Sequence, residues 1–234
     1  MSPYAAEFFG TMLLILLGNG AVAGVLLKDS KGEQAGWVAI VLAWGLAVMI
    51  AIYAVGRISG AHLNPAVTLA LVIASEFPID QMPGYILAQI TGAFAGAVLV
   101  WIYYLPHWAR TGNAELKRAA FCTAPAIRSV SANLFSEVIA TTVLILAILL
   151  IGANKFAEGL NPVAIGALIA AIGFGLGGTT GFAINPARDL GPRIAHALLP
   201  IAGKGSSDWS YSWIPVVAPL LGSLLAAFLY KYLF

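Results

Sequence analysis

Ser59-Gly60-Ala61-His62-Leu63-Asn64-Pro65-Ala66-Val67-Thr68 decides how this 234-residue chain is read, because its pattern returns as Thr180-Gly181-Phe182-Ala183-Ile184-Asn185-Pro186-Ala187-Arg188-Asp189. In each copy an irregular, glycine-containing stretch precedes Asn-Pro-Ala, and helix-forming residues follow. Asn is a favoured N-cap, and the proline after it has φ preset for a first helical turn and lacks only an N–H that would have no partner there. Both copies therefore predict helix starts, at Asn64-Pro65-Ala66 and at Asn185-Pro186-Ala187. A single Asn-Pro-Ala would mean little; two with matching flanks, 121 residues apart, imply an internal duplication.

The surroundings of both copies are those of a membrane protein. Hydrophobic residues make up 60% of the chain and charged residues 9%, against roughly a quarter charged in soluble domains. The charges cluster between long apolar runs, with none of the alternating strands of a membrane barrel. Helices are the remaining way to satisfy the backbone in lipid. A net charge of +2 gives no reason to expect nucleic acid, and the single Cys122 excludes an intrachain disulfide and disfavours a cysteine metal cluster. No basic segment precedes the first apolar run, so that run is expected to remain as a span.

Spans are predicted near residues 4–27, 36–55 and 83–104, then 132–151, 162–177 and 213–234. After the first Asn-Pro-Ala the apolar run stops near Ser75, at about half a membrane of helix; the second runs from Asn185 to about Leu198. Asn161-Pro162 has no Ala after it and reads as an ordinary helix start. The duplication extends to Ala6-Glu7-Phe8 with Thr11, echoed by Ser136-Glu137-Val138 with Thr141. Three full spans per half is an odd number, so the second half must lie inverted. The fold class expected is an all-α membrane protein with six transmembrane helices and two re-entrant half-helices in an inverted repeat. It forms one domain, 1–234, with repeats at 1–105 and 130–234 joined by a connection at 106–129.

Irregular backbone at membrane depth must line water or be buried in protein. The lead-ins are therefore expected to expose carbonyls to a polar passage, where two half-helix N-termini and the Asn64 and Asn185 amides meet. Each N-terminus carries about half a positive charge, so the centre should repel cations and orient neutral solutes. Glu7 and Glu137 are costly intramembrane carboxylates, expected to accept lead-in N–H groups; the alternative is proton carriage in a coupled transporter. Arg188 opposes the dipole of its own helix, which favours a position facing the passage over a salt bridge to Asp189. His107 and His196 are expected at the interface.

On these motifs, supported by Ala6-Glu7-Phe8-Phe9-Gly10-Thr11, the chain resembles the aquaporin superfamily, and over nearly its whole length the glycerol-conducting branch. The resemblance implies a pore in each protomer of a homotetramer, in the cytoplasmic membrane with both termini cytoplasmic. It implies a selectivity ring at Trp44, Gly173, Phe182 and Arg188, pore carbonyls at Gly60, Ala61, His62, Gly181, Phe182 and Ala183, and Asp189 as a glycerol-branch feature. It also implies a middle-loop aromatic, Phe121, dipping toward the vestibule. Trp44 and Phe182 would form an apolar corner opposite Arg188, suited to a molecule with one oily and one polar edge.

The function expected is passive conduction of glycerol, water and similar small neutral solutes, without cofactor or metal. The rival is a proton-coupled transporter using Glu7 and Glu137. An enzyme is disfavoured, since no HExxH, GxSxG or carboxylate dyad occurs. One count runs against the orientation that the resemblance implies. The loops expected outside hold seven cations (Lys28, Lys31, Arg110, Lys117, Arg118, Arg128, Lys204) and the opposite side three (Arg57, Lys155, Lys231), whereas cytoplasmic loops are usually the richer.

Overall fold

A computed structural model describes residues 1–234, and every regular element in it is helical. Helix α1 (Pro3–Leu26) starts behind Ser2, whose hydroxyl accepts the Ala5 N–H. Helix α2 (Gly36–Ser59) runs a turn beyond the expected stop near Val55, because Gly56 keeps helical backbone and no proline intervenes before Gly60 takes left-handed backbone at φ 82° and caps it. The half-helix α3 (Pro65–Ile73) has nine residues, about 14 Å. A 3-10 turn at Ile79–Gln81 leads into α4 (Met82–Tyr103). The connection between the halves is not simply a loop: it holds two short helices, α5 (Leu105–Arg110) and α6 (Ala114–Ala119), the second capped by the Asn113 side chain.

The second half repeats the order with α7 (Val130–Gly152), α8 (Asn161–Gly175), the half-helix α9 (Pro186–Leu198) and α10 (Ile214–Leu233). Five helices are long and apolar enough to cross a membrane unaided. The sixth crossing, α8, has 15 residues, about 22 Å against a hydrocarbon core of ~30 Å, and turns at 176–180 extend it.

Packing follows the duplication pair by pair. α1 lies against α2 and α4 as α7 lies against α8 and α10; α4 holds α9 as α10 holds α3; α2 meets its own counterpart α8, and α3 meets α9. The α2–α8 crossing is close because both helices are bare there. A methyl on Gly45 would sit 2.7 Å from the Gly166 carbonyl oxygen, and one on Gly166 would sit 2.8 Å from that of Gly45. Large apolar side chains such as Leu42, Leu46 and Ile50 point outward, as expected where the surrounding medium is hydrocarbon. The buried polar groups, Glu7, Asn64, Gln89, Glu137, Asn185 and Arg188 among them, lie inside the bundle.

Candidate functional site

The two lead-ins repeat one backbone conformation. Gly60, Ala61 and Leu63 have φ of 82°, 50° and 54°, and Gly181, Phe182 and Ile184 have 81°, 39° and 43°. Glycine adopts this region freely, but Leu63 and β-branched Ile184 do so at a cost of about 1–2 kcal/mol each. Two carboxylates hold the segments there. Glu7 Oε1 accepts the His62 N–H at 2.9 Å and Oε2 the Leu63 N–H at 2.7 Å. Glu137 accepts those of Ala183 and Ile184, both at 2.9 Å. Glu7 also takes the Ser59 hydroxyl at 2.7 Å and the Gln89 amide at 2.8 Å, and Gln89 reaches on to Thr68 Oγ1, which lies 3.1 Å from His62 Nδ1. Gln89 and Thr68 are thus supporting residues that sequence reasoning missed.

Asn64 and Asn185 both cap their own helices and cross to the opposite lead-in. Oδ1 of Asn64 accepts the Ala66 N–H at 2.8 Å; that of Asn185 accepts those of Ala187 and Arg188 at 3.0 and 3.2 Å. The amide of Asn64 donates to the Ile184 carbonyl and that of Asn185 to the Leu63 carbonyl, each at 2.8 Å. An amide has two N–H donors, so each Asn keeps one that no protein group takes. Around this reciprocal pair runs a cavity of about 220 Å³ whose wall includes Trp44, Gly60, Ala61, His62, Asn64, Phe182, Ala183, Asn185 and Arg188. The carbonyls of Gly60, Ala61, His62, Gly181, Phe182 and Ala183 accept nothing from the protein. Asn161 lies on the same wall, a third residue missed, because its Asn-Pro has no matching flank.

Of the four ring candidates, Trp44, Phe182 and Arg188 front the cavity. The Arg188 guanidinium does not stand opposite Trp44 but stacks on it, 4.2 Å from the ring centre, where a cation meets the negative π face, and its side chain makes no hydrogen bond or salt bridge to protein. Gly173 and Gly181 stand behind the wall. Gly173 makes room: a methyl there would come within 3.1 Å of Phe182 Cζ and 2.7 Å of Val41 Cγ1.

Asp189 faces away from the passage and pairs with Arg193 at 2.7 Å rather than with Arg188, both partners fully buried. It also accepts the Thr123 N–H and hydroxyl at 2.8 and 2.7 Å, and Arg193 donates to the carbonyls of Thr123 and Ser207. The middle connection is thereby tied to α9. Phe121 travels with it, but its ring is buried against Trp108 and His196 instead of facing the cavity. His196 is not interfacial: it is fully buried, with Nδ1 2.8 Å from Ser207 Oγ. His107 is half-buried, 2.9 Å from the Lys28 carbonyl.

Comparison with known proteins places this geometry. The family described as "Major intrinsic protein" matches residues 1–230. The chain is 58% identical to the probable glycerol uptake facilitator protein of Thermotoga maritima over 234 residues, covering 100% of both chains. It is 57% identical to the glycerol uptake facilitator protein of Bacillus subtilis over 99% of this chain and 84% of that one. Among solved structures, the aquaglyceroporin from Plasmodium falciparum superposes with a TM-score of 0.86 at 34% identity, over 98% of this chain and 94% of its own. With the family match spanning almost all its residues, the chain belongs to the major intrinsic proteins, the aquaporin superfamily of membrane channels, in the glycerol-facilitator branch.

Proposed function

We propose that the protein conducts glycerol, water and other small neutral solutes passively, in either direction, while excluding ions and protons. The observation that carries this reading is the two-sided wall. Trp44 and Phe182 supply an apolar corner; the Arg188 guanidinium, the spare Asn64 and Asn185 amide hydrogens and the lead-in carbonyls supply hydrogen-bonding groups without protein partners. A polyol has the same division between carbon edge and hydroxyl edge. The names borne by the relatives, glycerol uptake facilitators and an aquaglyceroporin, point to the same solute.

In this mechanism Trp44, Gly173, Phe182 and Arg188 form the selective ring. The carbon edge slides on Trp44 and Phe182. Hydroxyls donate in turn to the carbonyls of Gly60 to His62, Phe182 and Ala183, and accept from Arg188, Asn64 and Asn185. Many weak sites in series are what conduction needs. The α3 and α9 N-termini, each about half a charge, together with Arg188 disfavour cations and protons. Glu7 and Glu137 contribute by bracing the lead-ins; neither is on the cavity wall. We further infer a homotetramer in the cytoplasmic membrane, with one passage per protomer and both termini in the cytoplasm.

Swelling of vesicles holding the purified channel tests this. Glycerol uptake should rise linearly with its gradient and ignore an imposed pH difference; uptake that follows the pH difference would make Glu7 and Glu137 proton carriers of a transporter. The ring is tested separately. Because Phe182 fills the room beside Gly173, the informative variant combines Gly173→His with Phe182→Ala, which should cut glycerol flux about tenfold or more while sparing water. Equal loss of both solutes would refute the ring assignment.

A further inference from the structure

The Phe182 ring is held from behind. Trp37, in the first turn of α2, meets it edge-on at 88° with centroids 5.7 Å apart, and donates its indole N–H to the Gly173 carbonyl at 3.3 Å. A methyl on Gly177, just past the end of α8, would lie 2.5 Å from Phe182 Cδ1, 2.6 Å from the Gly173 carbonyl oxygen and 3.0 Å from Trp37 Cζ2. Gly177 is not among the glycines with positive φ, so its backbone would accept alanine and the obstacle is space alone. Trp37 and Gly177 are both off the cavity wall, and Trp37 is 40% exposed on the outer surface. One face of Phe182 thus fronts the cavity, and the rest is wedged among Trp37, Gly173 and Gly177.

Resting on the ring reading above, we propose that Trp37 and Gly177 are positioning residues that set the largest solute the channel passes, by fixing how far Phe182 stands off from Arg188. Gly177 provides the recess into which the ring leans, and Trp37 closes its back. A methyl at 177 crowds both the Gly173 carbonyl and the ring, and the ring, as the side chain of the two, gives way toward the cavity; loss of the indole lets it retreat.

The test is vesicle swelling with water, glycerol and the four-carbon polyol erythritol, each flux expressed per channel. Gly177→Ala should lower erythritol relative to glycerol by roughly tenfold, and glycerol relative to water by less. Trp37→Ala should raise the erythritol-to-glycerol ratio, and Trp37→Phe, which keeps a wedge, should restore it toward the parent value. In a Phe182→Ala background neither substitution should move the ratio, since contacting residues act through one another. Ratio changes that persist without Phe182, or parallel loss of all three fluxes at both positions, overturn the inference. If Phe182→Ala alone leaves the ratio unchanged, the ring reading fails; if Phe182 matters and Trp37 and Gly177 do not, only the positioning role fails.

Discussion

Glu137 places one oxygen on the Ala183 N–H and the other on that of Ile184, and so holds a β-branched residue at a φ of 43°. Glu137→Gln keeps the shape but turns one acceptor into a donor facing a donor. A buried N–H without a partner costs about 1–3 kcal/mol, so the variant should unfold at lower temperature in detergent, with a lower glycerol flux per channel. A proton carrier would behave otherwise, losing pH response at unchanged stability. The bracing role was legible in the sequence because Glu7 and Glu137 recur at matched positions early in the first span of each half. Gln89 and Thr68, which complete the Glu7 network, were not. Nothing in the chain pairs Gln89 with a second copy, and Thr68 falls where repeat two has Asp189, a residue with a different task. The choice of Arg193 over Arg188 as the partner of Asp189 was half-legible. The dipole that Arg188 opposes pointed it inward, and its stacking on Trp44 agrees; the i,i+4 spacing of Asp189 and Arg193 was there to see, but their pairing was not drawn from it.

The half-helices bind each other at their starts, each through the other's asparagine. Asn185→Ala removes the cap of α9, worth about 0.5–2 kcal/mol, and leaves the Leu63 carbonyl without its donor. Asn64→Ala does the same to α3 and the Ile184 carbonyl. Each single change loosens the junction on which the other depends, so the double variant should cost less than the sum of the two; denaturant midpoints for the four proteins measure the difference. Strict additivity would mean that the two caps act independently. At this scale the sequence foretold both half-helices, since Asn-Pro caps are local signals. It did not foretell α5 and α6, whose six-residue lengths leave no periodicity to read, or the burial of His196. That histidine looked like a flanking residue, because the segment covering it, around Ser207, is polar and lies 11 residues further along the chain.

Charge and the family resemblance give opposite answers for the whole molecule's orientation. Counting alone puts the seven-cation side in the cytoplasm, but the folded chain gives most of those cations structural work where they stand. Lys28 pairs with Glu33 at 3.0 Å, Arg110 with Asp29 at 2.7 Å, and Arg128 with Asp208. Lys204 caps the end of α9 through the carbonyls of His196, Ala197 and Leu199, and Lys117 donates to that of Ala202. These cations tie together the helix ends and loops on their own side, independently of the insertion rule, which leaves the family's orientation free to stand. Cysteine labelling in intact cells decides between the two. The native background is silent: Cys122 is buried, and burial, reinforced by the charge of Asp189, pushes its thiol up to about 12, far from the thiolate that a maleimide needs. Lys31→Cys, in the exposed α1–α2 loop, should react with a membrane-impermeant maleimide before lysis, and Lys155→Cys, exposed between α7 and α8, only after it. Both sites are single-residue changes away from the passage, so glycerol uptake should match the parent and certify the fold of each variant. The reverse labelling order would place both termini outside and show that the cation count, not the family resemblance, governs insertion of this chain.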